Sequence, residues 1–135
     1  MEEIIMKNRL FRAKKKVSEY TTPGWIEGFY YEVGDWAYIM EIPETEEDRL
    51  PFMERIVEKE TLCQCTNLPD CNGVDIYEKD IVRCGDDVYI VEWDDEDARF
   101  VLTQEHLVEN FSNISSRECE IIGNVFDDVE FEENI

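Results

Sequence analysis

The residues best suited to chemistry lie in one segment, 66–82. Its carboxylate, amide and phenol side chains could bind a ligand or transfer protons. The candidate binding residues are Asp70, Asn72, Gly73, Tyr77, Glu78 and Asp80. The same residue types also build turns, because Asp and Asn bond to nearby backbone groups and Gly accepts left-handed conformations. The sequence predicts a tight turn at 70–73, and it suggests that Asn72, Gly73 and Asp80 hold the following strand in place.

Four of the five cysteines would be enough to bind a zinc ion, but their spacing is not that of a structural zinc site. Structural zinc sites use cysteine pairs two to four residues apart on a tight turn. Here only Cys63 and Cys65 lie close together, with Cys71 and Cys84 further along. On a strand, Cys63 and Cys65 would point to the same face. A metal site at these four residues stays an open alternative, but we expect reduced cysteines and place Cys119 on a buried strand.

No other residues form a recognisable catalytic or cofactor-binding set. His106 is the only histidine, so a site with two histidine ligands is excluded. The acidic run that begins at Asp94 has Arg99 where a calcium loop needs its sixth-position Gly. The chain lacks phosphate-binding and nucleophile-elbow motifs. We therefore predict no catalytic residue, no metal, no cofactor and no enzymatic activity.

The formal net charge of −21 is unevenly distributed along the chain. Residues 1–16 contain six basic and two acidic side chains, which gives +4 and leaves −25 for the remainder. Binding to a phosphate backbone needs clustered Lys and Arg, so nucleic acid is an unexpected partner for most of the chain. An acidic surface could instead attract a basic protein partner.

No segment has the length or the apolar composition of a membrane span or a secretion signal. We therefore expect a cytoplasmic protein with no membrane partner. A homo-oligomer stays possible.

Alternating apolar and polar residues predict a mainly β fold. The predicted strands are 9–13, 25–33, 36–42, 54–57, 62–65, 80–84, 88–93, 98–103 and 119–126, with one or two helical turns at 104–110. Gly123 predicts a bulge within the last strand. Trp25, Tyr30, Trp36 and Tyr38 are expected in the core or in cross-strand pairs.

Two parts are predicted from this pattern. An N-terminal β-hairpin region spans 1–57, and 58–135 forms a small, bent, SH3-like β-barrel with an acidic tail. A single continuous domain over 1–135 is the alternative. At most one or two short helices are expected.

Several segments together resemble the YopX family of small proteins carried by phages and prophages. They are the Trp-Ile-Glu-Gly-Phe-Tyr element at 25–30, the central motif at 64–82 and the Glu-Ile-Ile-Gly-Asn-Val-Phe element at 120–126. Asn67 and Lys79 stand where the family has glycine. Asn67 tolerates a left-handed turn, and Lys79 is expected to need no positive φ. The resemblance implies a mostly β fold and a phage origin, and it implies no established activity.

Three functions compete on this basis. The favoured one is a non-enzymatic accessory protein that binds another protein through its acidic surface. The first alternative is a small-ligand binder or metal-dependent enzyme with a carboxylate-lined cleft around Asp75, Glu78 and Asp80. The weaker alternative is nucleic-acid binding through basic residues 7–16.

Overall fold

The computed structural model describes residues 10–18, 23–41, 54–111 and 114–127. These residues form antiparallel strands with two short 3-10 turns, Lys59–Thr61 and Ser116–Glu118. The strands are β1 Phe11–Lys14, β2 Trp25–Val33, β3 Trp36–Glu41, β4 Glu54–Val57, β5 Cys63–Pro69, β6 Asp75–Tyr77, β7 Asp80–Cys84, β8 Asp87–Asp94, β9 Arg99–Gln104, β10 Leu107–Asn110 and β11 Cys119–Asn124. The prediction of a mainly β chain is confirmed.

Packing divides the chain into two units, Met1–Cys65 and Thr66–Ile135. The predicted division into 1–57 and 58–135, with one continuous domain as its alternative, stays a prediction. In the described residues, no helix is long and apolar enough to cross a membrane.

The first unit is built around the predicted hairpin of β2 and β3. Gly34 turns the chain with a φ of 59°, a left-handed conformation that glycine adopts without steric cost. β1 pairs with β2, and β4 pairs with β3. An isolated bridge between Lys15 and Val57 also connects the end of β1 to β4. One face of these strands carries the core, which is formed by Ala13, Ile26, Ala37, Ile39 and Val57.

Gly28 of β2 lies against the backbone of Met40 in β3. A Cβ added to Gly28 would overlap the carbonyl oxygen of Met40 and would lie 2.8 Å from its carbonyl carbon. A glycine inside a strand often marks such a close approach of two backbones. The Trp-Ile-Glu-Gly element therefore needs its glycine for the packing of the hairpin.

The second unit contains a five-stranded sheet in the order β10-β9-β8-β7-β11. The predicted meander of three strands is confirmed as β7, β8 and β9. Alternate residues of β7 and β8 are buried on both faces of this sheet. Val82 and Val91 belong to the larger core cluster, while Ile81 and Ile90 pack with Val125 in a second one.

The predicted closure of the C-terminal part into an SH3-like barrel is wrong. A barrel forms only when the first and last strands of a sheet pair with each other. Here β10 and β11 end the order and do not pair. The outer side of β11 instead meets the 70–73 turn, where the backbone N–H of Cys71 donates to the Cys119 carbonyl over 2.8 Å.

The predicted bulge in the last strand is confirmed. The pairing of β11 with β7 changes register between Ile121 and Gly123, so that Ile122 is the additional residue. A bulge increases local twist and bends the strand. A small barrel also needs a bend in its strands, but here the bulged strand belongs to an open sheet.

The predicted helical turns at 104–110 are also wrong. Glu105, with a φ of 47°, and His106 form a two-residue turn. The chain then returns as β10, in which Leu107 pairs with Gln104 and Val108 with Thr103. A run of a few residues carries too little periodicity to distinguish a helical turn from a strand, and pairing with β9 decides the outcome.

Candidate functional site

Asp70 organises the predicted turn through its carboxylate. Its Oδ1 accepts hydrogen bonds from the backbone N–H groups of Asn72, over 2.8 Å, and Val74, over 2.9 Å. The backbone N–H of Gly73 donates to the Asp70 carbonyl over 3.0 Å, and Gly73 has a φ of 79°. The predicted turn at 70–73 is confirmed, and Asp70 holds it from within.

The second oxygen of the same carboxylate reaches a distant strand. Oδ2 of Asp70 accepts the backbone N–H of Ile121, in β11, over 3.1 Å. Asp70 is only 4% exposed. A buried carboxylate with three N–H donors is a strong structural connection, because bonds to a charged acceptor exceed neutral ones in strength. One side chain therefore joins the turn to the last strand of the second unit.

Burial alone would raise the pKa of the Asp70 carboxyl. The N–H donors of Val74, Ile121 and Asn72 outweigh this effect and hold the pKa below its ordinary value. A carboxyl with a lower pKa in the folded state stabilises the fold above its unfolded pKa of about 3.9. That contribution is lost as the pH falls through the folded pKa.

The free energy of unfolding should therefore fall below about pH 4 in part through Asp70. Asp70→Asn keeps the shape of the side chain but cannot titrate. We expect this variant to be less stable than the wild type at neutral pH and to lose less stability on acidification. Urea unfolding of both proteins between about pH 7 and pH 2.5 gives the free energy of unfolding as a function of pH. If this free energy falls equally steeply with pH in the wild type and in the variant, Asp70 does not supply the acid sensitivity.

Asp80 performs a related task at the start of β7. It is 1% exposed, and its Oδ2 accepts the backbone N–H of Tyr77 over 2.8 Å. This bond closes the tight connection between β6 and β7. Asp80 thus helps to hold the start of β7 in place, as predicted.

Thr66, which sequence reasoning missed, completes the structure of the motif. Its hydroxyl donates to the Ile76 carbonyl over 2.7 Å and accepts the N–H of Leu68 over 3.1 Å. A buried hydroxyl usually has such partners. The sequence signal available was only the position of Thr66 at the start of a turn-rich segment.

The two residues that replace family glycines both adopt left-handed backbone conformations. Asn67 has a φ of 64°, as its tolerance for this region predicts. The expectation that Lys79 needs no positive φ is wrong, since its φ is 72°. Its N–H donates to the Val91 carbonyl over 2.7 Å, and its carbonyl accepts the N–H of Val125 over 3.0 Å. These two backbone bonds hold position 79 in the left-handed conformation, whether its side chain is lysine or the glycine of the family.

Lys79 also makes an ion pair that a glycine could not make. Its Nζ lies 2.9 and 2.8 Å from the two carboxylate oxygens of Glu92. Both side chains are about one-third exposed. Partly exposed pairs contribute about 0–1 kcal/mol, which offsets part of the cost of the left-handed backbone.

The candidate residues do not gather around one point for binding. Asp70, Tyr77 and Asp80 are buried, whereas Asn72 and Gly73 are exposed and Glu78 is half-buried. The carboxylates of Asp70 and Asp80 accept bonds from backbone N–H groups. In the described ranges, no three His, Cys, Asp or Glu residues are placed to hold a metal ion. A ligand-binding role for these six residues stays a prediction, while the turn role has direct hydrogen-bond support.

Residues 10–131 match the model of the YopX protein family. This match covers the hairpin, the central motif and the last strand. The chain belongs to the YopX family. No curated protein matches the sequence.

The cysteines of this YopX protein differ from the reduced set that was expected. Cys84 and Cys119 lie opposite each other on β7 and β11 and form a disulfide, with a Cα–Cα distance of 4.3 Å. Cys119 is fully buried on its strand, as predicted. The bond removes Cys84 from the set of four free thiolates that the zinc alternative needs.

The other cysteines occupy different environments. Cys63 and Cys65 are buried and share one face of β5, as predicted, whereas Cys71 is exposed. Cys84 and Cys119 are 35 residues apart in the sequence, and no local pattern predicts that they pair. The pairing arises from the register of β7 with β11.

The aromatic residues of the first unit are divided between its two faces. Tyr30 packs against the core cluster. Tyr38 stacks on Tyr31 across the hairpin, with ring centroids 5.2 Å apart and planes inclined by 13°. This confirms a cross-strand pair. Trp36 is 49% exposed and lies opposite Val33 of β2, so it forms a cross-strand pair outside the core.

Proposed function

We propose that this YopX protein is a non-enzymatic binding module. Its second unit takes an extended, basic segment of a protein partner as an additional strand beside β10. The observation that supports this most strongly is the open edge of the five-stranded sheet. β10 ends the strand order of the described residues, and its Leu107 and Val108 are 59% and 62% exposed.

An open strand edge offers backbone N–H and C=O groups to another chain. The two edges of this sheet differ in that respect. The 70–73 turn covers part of β11 through the bonds of Cys71 and Asp70 to that strand. β10 has β9 as its neighbour among the described strands. Strand addition is therefore favoured at β10.

Charge selects the kind of segment that would bind. The described part of the second unit, 66–111 and 114–127, has sixteen carboxylates and four Lys or Arg side chains, a net charge of −12. A second copy of this unit would be repelled. A segment with alternating basic and apolar residues would meet Glu109 and the exposed Leu107 and Val108 with complementary chemistry.

The enzyme alternative has weaker support from the same residues. It requires Asp75, Glu78 and Asp80 to present carboxylates to a ligand. Asp80 is 1% exposed and accepts the backbone N–H of Tyr77. This arrangement favours a binding module without catalysis.

Membership of the YopX family supports a phage or prophage origin for the protein, and a host or phage protein as its partner. The host cytoplasm is the proposed place of action. The Cys84–Cys119 disulfide argues in the opposite direction, because disulfides persist mainly in oxidising compartments.

The test uses a fluorescein-labelled peptide of about ten residues with alternating Lys and Val, the length of a long strand. Fluorescence anisotropy measures its binding to the full chain and to two variants. Val108→Lys places a charge on the open edge, which opposes strand addition. Val74→Lys is the matched control, because Val74 is 54% exposed in the same unit and the net charge changes equally.

We expect Val108→Lys to weaken peptide binding at least about tenfold and Val74→Lys by less than about twofold. Equal weakening by both variants would show that net charge, and not the β10 edge, governs binding. Absence of peptide binding to the wild type at low salt would contradict the proposed function.

A further inference from the structure

The first unit carries cations and aromatic rings on the face opposite its core. In β1, Ala13 is fully buried in the core and pairs with Ile26. Its neighbours Arg12 and Lys14 point to the other face, because successive side chains of a strand alternate. They pair with Glu27 and Trp25 of β2. The basic residues near the start of the chain thus have a defined place on a sheet.

Each of these cations lies close to an aromatic ring. The Arg12 guanidinium carbon is 4.8 Å from the centroid of the Trp25 ring, and the Lys14 Nζ is 5.5 Å from it. The Lys16 Nζ is 4.6 Å from the centroid of the Trp36 ring. We call this surface the cationic-aromatic face, and its members are Arg12, Lys14, Lys16, Trp25, Trp36 and Tyr38.

One ring of this face, that of Trp36, is open to solvent, while those of Trp25, Tyr31 and Tyr38 are half-buried. Trp36 is 49% exposed, and Val33, which pairs with it, is 58% exposed. Tyr38 is two residues from Trp36 on the same side of β3, about 7 Å along the strand. Tyr38 stacks on Tyr31 with nearly parallel planes. Open aromatic rings on a sheet, with cations beside them, are the arrangement by which proteins bind unpaired bases.

We propose that the cationic-aromatic face binds single-stranded nucleic acid. Bases stack on Trp36 and on the Tyr31–Tyr38 pair, and Arg12, Lys14 and Lys16 contact the phosphates. This site uses residues of the first unit, whereas the proposed peptide site at β10 uses residues of the second unit. The oligonucleotide experiment can therefore fail without affecting the conclusion of the peptide experiment.

Charge favours single strands over duplexes at this face. The whole chain has a net charge of −21 and repels the dense phosphates of a duplex. A duplex also hides its bases from aromatic rings, whereas a single strand can stack them. Three phosphate contacts predict that the logarithm of the binding constant falls with the logarithm of salt concentration with a slope of about −2.

The test measures anisotropy of labelled oligo-dT and oligo-rU of about twenty nucleotides with the full chain at low salt, since electrostatic binding weakens as salt rises. Trp36→Ala removes a stacking surface, and Lys16→Glu reverses one charge. Arg117→Glu is the matched control, because Arg117 is exposed in the second unit and the net charge changes equally. Circular dichroism shows that each variant keeps its fold.

We expect both oligonucleotides to bind. Their affinities for the wild type should differ by less than the loss of affinity caused by either Trp36→Ala or Lys16→Glu. Trp36→Ala and Lys16→Glu should each weaken binding about tenfold, and Arg117→Glu less than about twofold. A duplex that binds as tightly as the single strand overturns the proposal, as does an unaffected Trp36→Ala variant or a total absence of binding. Tighter binding of a labelled poly-Glu peptide, lost in Lys16→Glu, would assign the face to an acidic protein instead.

Discussion

Replacing Asp70 by alanine is expected to lower the free energy of unfolding by about 3–4 kcal/mol, because a buried carboxylate that accepts three backbone N–H bonds is lost. The substitution removes the acceptor of three backbone N–H groups, those of Asn72, Val74 and Ile121. These bonds are partly buried, and each N–H that loses its acceptor without reaching water costs about 1–3 kcal/mol; solvation and relaxation of the turn recover part of that cost. Urea unfolding at neutral pH, followed by circular dichroism, measures the difference.

The matched control for this experiment is Asp95→Ala. Asp95 is exposed in the turn between β8 and β9. Its replacement removes the same charge and should change stability by less than about 0.5 kcal/mol. Equal losses in both variants would mean that Asp70 contributes no more than an exposed carboxylate, and the structural role assigned to the motif would be wrong.

Gly28→Ala is expected to cost about 3 kcal/mol, at the upper end for overpacking, because the obstacle is backbone. The new methyl group would overlap the Met40 carbonyl in β3. Neither strand can yield without disturbing the ladder that holds both. Thermal unfolding should show a lower Tm.

Gly34→Ala provides the comparison within the same hairpin. Gly34 has a φ of 59°, and a Cβ there meets no atom within 4 Å. Its replacement tests the left-handed backbone alone and should cost about 1–2 kcal/mol. If Gly28→Ala is as stable as Gly34→Ala, or more stable, the close approach at Gly28 is disproved.

The strands could be predicted where the pattern is strong and the partner is near in the sequence. The β2–β3 hairpin and the β7–β8–β9 meander follow from alternating residues and from Gly34 and Gly85 at their turns. The bulge follows from Gly123 in a strand. Local signals suffice for the hairpin and the meander because their strands pair with neighbours along the chain, and the bulge is marked by its own glycine.

Two of the incorrect predictions, the closed barrel and the reduced Cys84 and Cys119, involve contacts between distant residues. Whether a sheet closes depends on how its two end strands are placed, and neither β10 nor β11 carries a local signal for that. The Cys84–Cys119 bond depends on the register of two strands that are far apart in the sequence. The assignment of 104–110 as helical turns rested on a segment too short for its periodicity to decide.

The sequence predicted the turn among the candidate residues but not the contacts that hold it. The Asp-x-Asn-Gly pattern correctly indicated a turn at 70–73, whereas the role of the Asp70 carboxylate as its acceptor was not predicted. The bond from Asp70 to Ile121 spans 51 residues, and no local pattern predicts it. The φ of Lys79 was mispredicted because the backbone partners Val91 and Val125 impose it from other strands.

The central claim is that the YopX motif builds the fold, while the β10 edge binds the partner. Amide NMR spectra of the full chain, recorded during titration with the alternating Lys-Val peptide, test this claim most directly. We predict that the largest shifts map to Leu107–Asn110 and the adjacent β9, with little change at residues 70–80. The largest shifts at residues 70–80, with β10 unchanged, would contradict the claim and return the motif to the role of a binding site.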